Sequence, residues 1–176
     1  MQALEDLKKR LSDNQTVPWD QLPDFPLYMD QLISYMPRQV LALDREERLT
    51  SAMVNNYIKE GLLPRAHGKR YTREHIVYLT AICVLKQVLT VKELGQLLPG
   101  LDSETDVQEY YSRLFEVIDS ELAATGELID VPDGAERELA DLALHLAVSA
   151  YSRQYLCKKI IENLAQDSKR QKKGSK

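Results

Sequence analysis

Residues 57–75 read YIKEGLLPRAHGKRYTREH, and this stretch decides the fold of the chain. It holds five Lys or Arg residues and two Glu, although the chain as a whole has a net charge of −4. Gly61 and Pro64 predict the end of a helix, because glycine adopts the left-handed conformation after a helix and proline cannot continue one. Gly68 predicts the tip of a tight turn at positive φ. The stretch therefore predicts a helix, a short basic turn and a second helix.

Helical periodicity continues on both sides of this turn. Thr50 predicts the start of the upstream helix, and the glutamate in the first turn after Thr72 predicts a cap for the downstream one. Thr90 and Glu93 match a capping box that opens a further short helix. Residues with apolar side chains line the inner side of the upstream helix and one face of the downstream helix: Met53, Val54, Tyr57, Ile58, Ile76, Leu79, Ile82, Cys83, Leu85 and Val88.

The outer segments are also helical in pattern, so the chain is predicted to be all-α with a minimal hairpin at the basic turn. An N-terminal helix is followed by a proline-rich segment around Trp19, Leu22 and Phe25, which we expect to pack on the body as an irregular strap. Ser103 predicts the start of a long helix, and the last helix is predicted over about 135–165. Its middle, LALHLAVSAYSRQYL, is apolar on much of its circumference and is expected to be buried against helices or a second copy of the chain.

Composition excludes several protein classes. No apolar run reaches the roughly 18 residues of a membrane span, and the N-terminus lacks the pattern of a secretory signal. Cys83 and Cys157 are far apart, which is typical of reduced thiols in a cytoplasmic protein and argues against a zinc site. We therefore expect a cytoplasmic protein without a membrane segment, metal or cofactor.

The chain carries no nucleotide-binding, hydrolase or metalloprotease motif. His145 lies in the apolar run LALHLA, where a core histidine is expected rather than a ligand, and the carboxylates of 102–141 are spread around helix surfaces. The sequence therefore predicts a protein that is not an enzyme.

Positive charge is concentrated in one part of the chain. Residues 59–92 hold seven Lys or Arg and two Glu, a net charge of +5, whereas residues 93–167 hold five bases and sixteen acids, a net charge of −11. Because phosphate attraction depends on local patches, an acidic average does not exclude a nucleic-acid partner.

The order of elements from Thr50 to Leu98 resembles the MerR-type winged helix-turn-helix. The matching residues are Tyr57, Gly61, Leu62, Leu63, Pro64, Arg70, Tyr71, Thr72, Ile76, Leu79, Ile82, Leu85, Glu93, Leu94 and Leu98. With MDQLISYM upstream, the stretch looks closer still to a family of uncharacterised proteins that carry such a domain. The resemblance implies a winged helix-turn-helix over 28–98 and binding to double-stranded DNA.

Three features depart from the MerR pattern. PRQVLALDREERL separates the first two helices where MerR-type proteins have a tight turn, and Asn55-Asn56-Tyr57 stands where Arg-Tyr-Tyr is usual. Pro99-Gly100 and an acidic helical unit follow Leu98 in place of a long dimerising helix.

Under this interpretation, helix 50–60 faces the major groove and the turn 64–71 lies along phosphates. The predicted DNA contacts are Ser51, Asn55, Asn56, Lys59, Arg65, His67, Lys69, Arg70 and Arg73. The predicted structural residues are Tyr57, Gly61, Pro64, Gly68 and Tyr71.

The remaining parts are predicted as an N-terminal helix and strap over 1–27, an acidic domain for dimerisation or partner binding over 101–166, and a disordered basic tail over 167–176. The leading hypothesis is a transcriptional regulator, with homodimerisation through the C-terminal helices. The alternative is a protein-interaction adaptor that keeps the winged-helix frame without reading DNA.

Overall fold

A computed structural model describes residues 2–13, 17–39, 49–98, 100, 103–129 and 136–174. Within these ranges the chain forms seven α-helices, and two single 3₁₀ turns cover Trp19–Gln21 and Met36–Arg38. The helices are α1 (Gln2–Asp13), α2 (Met29–Tyr35), α3 (Ser51–Lys59), α4 (Arg73–Leu85), α5 (Val91–Leu97), α6 (Glu104–Glu127) and α7 (Glu136–Gly174). Extended pairing in the described ranges is limited to two isolated bridges. The all-α prediction is confirmed.

Helix α4 is the centre of the fold. All nine residues from His75 to Cys83 are buried, so this helix is covered around its whole circumference. Such a helix is apolar on all sides because it contacts neighbours on all sides. The predicted inner face is correct up to Leu85, but Val88 lies beyond the end of α4 and is exposed.

One hydrophobic cluster joins the strap with α2 to α7. It joins Leu22 and Leu27 of the strap to α4, and it continues into Val107 of α6 and Ile161 of α7. α6 packs on α1 and α4, and α5 packs on α7. The predicted boundary between 28–98 and 101–166 therefore does not divide the core.

The strap packs on the body largely as predicted. Leu22 is buried and Trp19 is packed against the core. Phe25, which the sequence placed with them, is exposed, because the strap turns its side chain away from the cluster.

A polar network ties the strap to α6 inside the core. Tyr111 of α6 donates a hydrogen bond from its hydroxyl to the Val17 carbonyl. The side-chain amide of Gln39 lies 2.8 Å from the Tyr111 hydroxyl and 3.1 Å from the Tyr35 hydroxyl. Burial raises the pKa of the Tyr111 phenol, and the hydroxyl of Tyr35 raises it further. The phenol is therefore a neutral hydrogen-bonding group that joins residues far apart in sequence.

The helix starts follow local sequence signals. Glu93 accepts from the Thr90 amide at 2.8 Å, and Thr90 accepts from the Glu93 amide at 3.3 Å, so the predicted capping box is confirmed. Ser103 caps α6 by accepting from the Asp106 amide at 3.1 Å.

The C-terminal helix is longer than predicted. α7 continues to Gly174, so most of the predicted disordered tail 167–176 is helical. Lysine, arginine and glutamine are good helix formers, and positive charge is favourable near a helix C-terminus. The charged and polar residues that suggested a disordered end are therefore also residues that favour continuation of the helix.

The apolar run in α7 is exposed in the single chain, so of the two expected partners, helices of the same chain or a second copy, the described helices of the same chain do not cover it. Leu144, Val148, Tyr151 and Tyr155 have exposed fractions of 64, 56, 69 and 57%. His145 is also exposed, so it is not the predicted core histidine. The run is uncovered because α7 contacts the body mainly through its C-terminal half, near α5. Burial against a second copy stays a prediction.

Several predictions fall outside the described residues. The sequence also predicts an apolar helical continuation at Val40, Leu41 and Leu43, a charged connection over 44–48 and a loop over 126–134. The first two, and residues 130–134 of the loop, lie outside the described residues. Residues 126 and 127 of that loop belong to α6.

Candidate nucleic-acid interface

Helix α3 separates its polar and apolar residues cleanly. Thr50 caps the helix by accepting a hydrogen bond from the Met53 amide at 3.2 Å. Val54 and Tyr57 are buried. Ser51, Asn55, Asn56 and Lys59 are exposed. Because residues four apart lie on one side of a helix, Ser51, Asn55 and Lys59 form a single polar row beside Asn56.

The end of α3 is a Schellman motif, in which backbone amides beyond the helix satisfy its last carbonyls. Gly61 has φ +73° and donates from its amide to the Ile58 carbonyl at 3.1 Å. The Leu62 amide donates to the Tyr57 carbonyl at 2.9 Å. The motif turns Leu62 and Leu63 into the core. Pro64 follows, half-buried, and the chain continues into the basic turn.

The basic turn is a two-residue hairpin. His67 and Arg70 pair across it, and Gly68 and Lys69 have φ of +57° and +63°. Two consecutive positive φ values are the signature of a type I′ turn, which matches the twist of paired strands. Arg65, His67, Lys69 and Arg70 are all exposed. The basic turn 64–71 therefore presents four of the nine predicted DNA contacts together.

The hairpin is held to the strap by backbone pairing. Leu27 and Tyr71 exchange two amide-to-carbonyl hydrogen bonds, each of 2.8 Å. Tyr71 is buried, and its ring meets the His75 ring edge-on at 5.2 Å between centroids. Burial raises the pKa of the Tyr71 phenol. The strap thus supplies the extended partner of the chain at the end of the hairpin.

Tyr28 positions Arg70. The guanidinium of Arg70 lies 4.9 Å from the Tyr28 ring centroid, and its Nη2 atom donates to the Tyr28 hydroxyl at 3.0 Å. Stacking on an aromatic ring orders the side chain while leaving other guanidinium donors available. Tyr28 was not among the predicted site residues, and the sequence offers no local signal for a contact across 42 positions.

Arg73 does not join this group. Its Nε atom donates to the Pro23 carbonyl at 3.1 Å and its Nη2 atom to the Leu22 carbonyl at 3.0 Å. Its guanidinium also lies 5.2 Å from the Trp19 ring centroid. The DNA contact predicted for Arg73 is corrected to a structural role, because its side chain holds the strap against α4.

His75 performs the capping that the sequence assigned to a glutamate. Its Nδ1 atom accepts from the Thr72 amide at 3.0 Å, and it occupies the third position of α4. Glu74 is one position too early for this contact. The missed signal was the Thr-x-x-His spacing, in which the imidazole replaces the usual carboxylate or amide.

The cations of the wing are not neutralised by neighbouring acids. In the ranges that the structure describes, no salt bridge involves Lys59, Arg65, Lys69 or Arg70. Burial raises the pKa of the Glu74 carboxyl, and His67 opposes the shift. The same described ranges contain no cluster of metal-ligating side chains and no helix long and apolar enough to cross a membrane.

The family model for a domain of unknown function, DUF1836, matches residues 17–116. This match covers more than half of the chain. The chain belongs to the DUF1836 family. Comparison with curated proteins finds no match, and comparison with solved structures finds none either.

The DUF1836 match begins and ends at elements that the structure brings together. Val17 is its first residue, and the Val17 carbonyl accepts the hydrogen bond from Tyr111, which lies near the other end of the match. The strap and the first half of α6 are therefore part of the DUF1836 unit, which is larger than the predicted domain 28–98. α7 lies outside the match.

Proposed function

We propose that this DUF1836 chain is a cytoplasmic DNA-binding protein that regulates transcription. The observation that carries the proposal is the exposed polar row of α3 together with the basic turn 64–71. Four cations of these two segments have no salt bridge in the described ranges: Lys59, Arg65, Lys69 and Arg70. In the MerR-like interpretation, α3 enters the major groove and the hairpin acts as the wing along the phosphates.

Asn55 and Asn56 are the candidate base readers. Both are exposed on α3, and asparagine can bind an adenine edge through two hydrogen bonds. The four cations supply the contacts to phosphate: Lys59, Arg65, Lys69 and Arg70. Because Arg73 holds the strap, it is left out of this set.

The number of cations sets a measurable salt dependence. Four phosphate contacts per chain predict a log–log slope of affinity against salt of about −3.6, and a dimer doubles it to about −7. Fluorescence anisotropy of a random-sequence duplex across a series of salt concentrations measures this slope.

The deciding test is a matched pair of triple variants. Arg65→Gln/Lys69→Gln/Arg70→Gln removes three charges from the wing, whereas Lys9→Gln/Arg113→Gln/Arg137→Gln removes three exposed charges elsewhere. We expect the first variant to lose duplex binding and the second to keep it. Equal loss in both, or a wild-type chain that never binds duplex DNA at low salt, would falsify the proposal.

The second candidate function is a protein-interaction adaptor, and the exposed face of α7 favours it. The residues Leu144, Val148, Tyr151 and Tyr155 follow one another at spacings of four, three and four, which places them on one side of the helix. An apolar row of this kind on a folded surface marks an interaction site.

A second copy of the chain is the partner that we propose for this row. The first part of α7, 136–146, carries three acids and one base, whereas 147–174 carries seven bases and two acids. Two α7 helices side by side in opposite directions therefore bring unlike charges together, and such a pair is consistent with two-fold symmetry. The DNA and dimer proposals are compatible, since the α7 row and the wing belong to different elements.

A further inference from the structure

An open cleft lies beside the wing, between the end of α3, the turn that follows it, and α5. Its volume is about 550 Å³, which is within the range of small-ligand sites, roughly 300–1,000 Å³. Its lining includes Lys59, Leu62, Arg65, Tyr78, Gly95 and Leu98.

Apolar groups line part of the cleft. Leu62 and Tyr78 are buried beneath it, and Leu98 is half-buried at its side. Gly95 lies inside α5, and a Cβ atom at this position would stand 3.4 Å from Leu62 Cδ2. The absence of a side chain at position 95 therefore lets Leu62 pack closely on α5 at the edge of the cleft.

The rim of the cleft is positive. Lys59 and Arg65 are exposed, and neither side chain has a hydrogen bond or ion pair in the described ranges. The adjacent acid, Glu60, does not line the cleft. The Tyr57 and Ile58 carbonyls at this end of α3 accept from the amides of residues 61–63, so the two cations set the local charge.

We propose that the cleft binds a small organic carboxylate with a compact apolar body. The carboxylate would bind between Lys59 and Arg65, since a guanidinium can donate two parallel hydrogen bonds to it. The apolar body would lie on Leu62, Tyr78 and Leu98. No metal or second protein is needed for this binding.

Ligand binding would regulate DNA binding, and this part rests on the proposed function. Lys59 and Arg65 are two of the four cations assigned to phosphate, so a bound carboxylate removes them from the DNA face. Ligand and duplex then weaken each other by the same factor, because coupling between two binding equilibria is reciprocal.

Binding can be tested without DNA. 1-Naphthoate, an aromatic carboxylate, is titrated into the full chain while backbone amide resonances are recorded, with uncharged 1-naphthalenemethanol as the matched probe. We expect saturable shifts of the Gly61, Gly95 and Gly100 amides with 1-naphthoate, and binding of the alcohol roughly tenfold weaker, because hydrogen bonds to charged groups are stronger. Equal binding of the two probes, shifts confined to α7, or no saturable shift overturns the proposal.

Variants locate the site. Lys59→Gln/Arg65→Gln removes the rim charges from exposed positions and is expected to abolish the preference for the carboxylate. Gly95→Leu fills the cleft and is expected to abolish binding of both probes. Lys92→Gln, an exposed cation of α5 outside the cleft, is the control and should bind 1-naphthoate like the wild type. Unchanged binding in both cleft variants overturns the assignment.

The coupling between ligand and DNA is measured separately, as the effect of 1-naphthoate on duplex binding. We expect 1-naphthoate to weaken duplex binding by the wild type and to leave duplex binding by Gly95→Leu unaffected. A chain that binds 1-naphthoate at this cleft but binds no duplex refutes the proposed DNA function and leaves the ligand site standing. A chain that binds duplex equally well with and without bound 1-naphthoate refutes the coupling.

Discussion

The Nδ1 atom of His75 accepts a hydrogen bond from the Thr72 amide at 3.0 Å, so a buried imidazole closes the first turn of α4. His75 is only 1% exposed. The contact needs an unprotonated Nδ1, and its Nε2 atom lies buried without a hydrogen-bond partner among the described residues. Charging this ring would cost free energy in the folded state.

We therefore expect the free energy of unfolding to fall as the pH drops below about 6.5. Burial lowers the pKa of His75 from 6.5, and His67 lowers it further, while the backbone of Pro64 and Arg65 opposes the shift. The unfolded chain thus takes up a proton at a higher pH than the folded chain. Neutral His75 gives its full stabilisation above the pKa that this residue has in the unfolded chain. The free energy of unfolding then falls with decreasing pH by up to about 1.4 kcal/mol per pH unit.

Urea unfolding at pH 7.5, 6.5 and 5.5 measures this loss. His75→Gln keeps an acceptor for the Thr72 amide and should flatten the dependence, whereas His67→Gln should retain it. Burial raises the pKa of the Glu74 and Asp119 carboxyls, so protonation of these groups favours the folded state as the pH falls toward 4.5. This effect on stability is opposite in sign to that of His75 and occurs at lower pH. A wild-type profile that is flat between pH 7.5 and 5.5 contradicts the prediction.

Removing the Arg73 side chain should release the strap. Arg73→Gln loses two hydrogen bonds to backbone carbonyls and the stacking on Trp19, and we expect it to destabilise the fold by about 2–3 kcal/mol. Arg73→Lys should recover only part of the loss, because an ammonium cannot reproduce the planar fork. Trp19 is the only tryptophan in the chain, so its fluorescence reports strap release directly. Full rescue by lysine argues against the proposed geometry.

Changes at the hairpin tip should have opposite effects on stability. Gly68→Ala places a side chain at φ +57° and is expected to cost about 1 kcal/mol. Lys69→Asn replaces a lysine at φ +63° by a residue that tolerates this conformation, and should stabilise the fold by about 0.5 kcal/mol. Thermal unfolding of both variants measures the effects. Stabilisation by Gly68→Ala is inconsistent with a type I′ turn.

Tyr111→Phe should lower the free energy of unfolding, because it removes the hydroxyl at the centre of the buried polar network. The substitution leaves the Val17 carbonyl and the Gln39 amide short of a partner, which is expected to cost about 1–3 kcal/mol. Tyr151→Phe is the matched control, since Tyr151 is exposed and its hydroxyl should matter by less than about 0.5 kcal/mol. Equal free energies of unfolding for the two variants would show that the network contributes nothing measurable.

The apolar row of α7 should control self-association. Val148→Glu/Tyr151→Glu introduces charges into the row without touching the wing, and we expect a dimeric wild type and a monomeric variant in light scattering at micromolar concentration. Both positions are exposed in the single chain, so the helix content should not change. A wild type that is monomeric under these conditions excludes the dimer.

The sequence by itself determined the features that depend on contacts over a few residues. Thr50, Gly61, the Thr90–Glu93 pair and the turn at Gly68 act within five residues of their own positions, so their side chains and backbone preferences are sufficient to predict the helix ends and the hairpin. The outward position of Asn55, Asn56 and Lys59 follows from helical periodicity in the same way.

Only the tertiary structure decided the features that join distant parts of the chain. The contacts of Arg73 with Leu22 and Pro23 span 50 residues or more, and the bond from Tyr111 to Val17 spans 94. Periodicity shows which side chains share a helix face but not which partner covers that face. For this reason the sequence assigned Arg73 to DNA, whereas the folded chain holds its strap with Arg73. The sequence also left open whether helices of the same chain or a second copy cover the apolar row of α7, and the single chain leaves that row exposed.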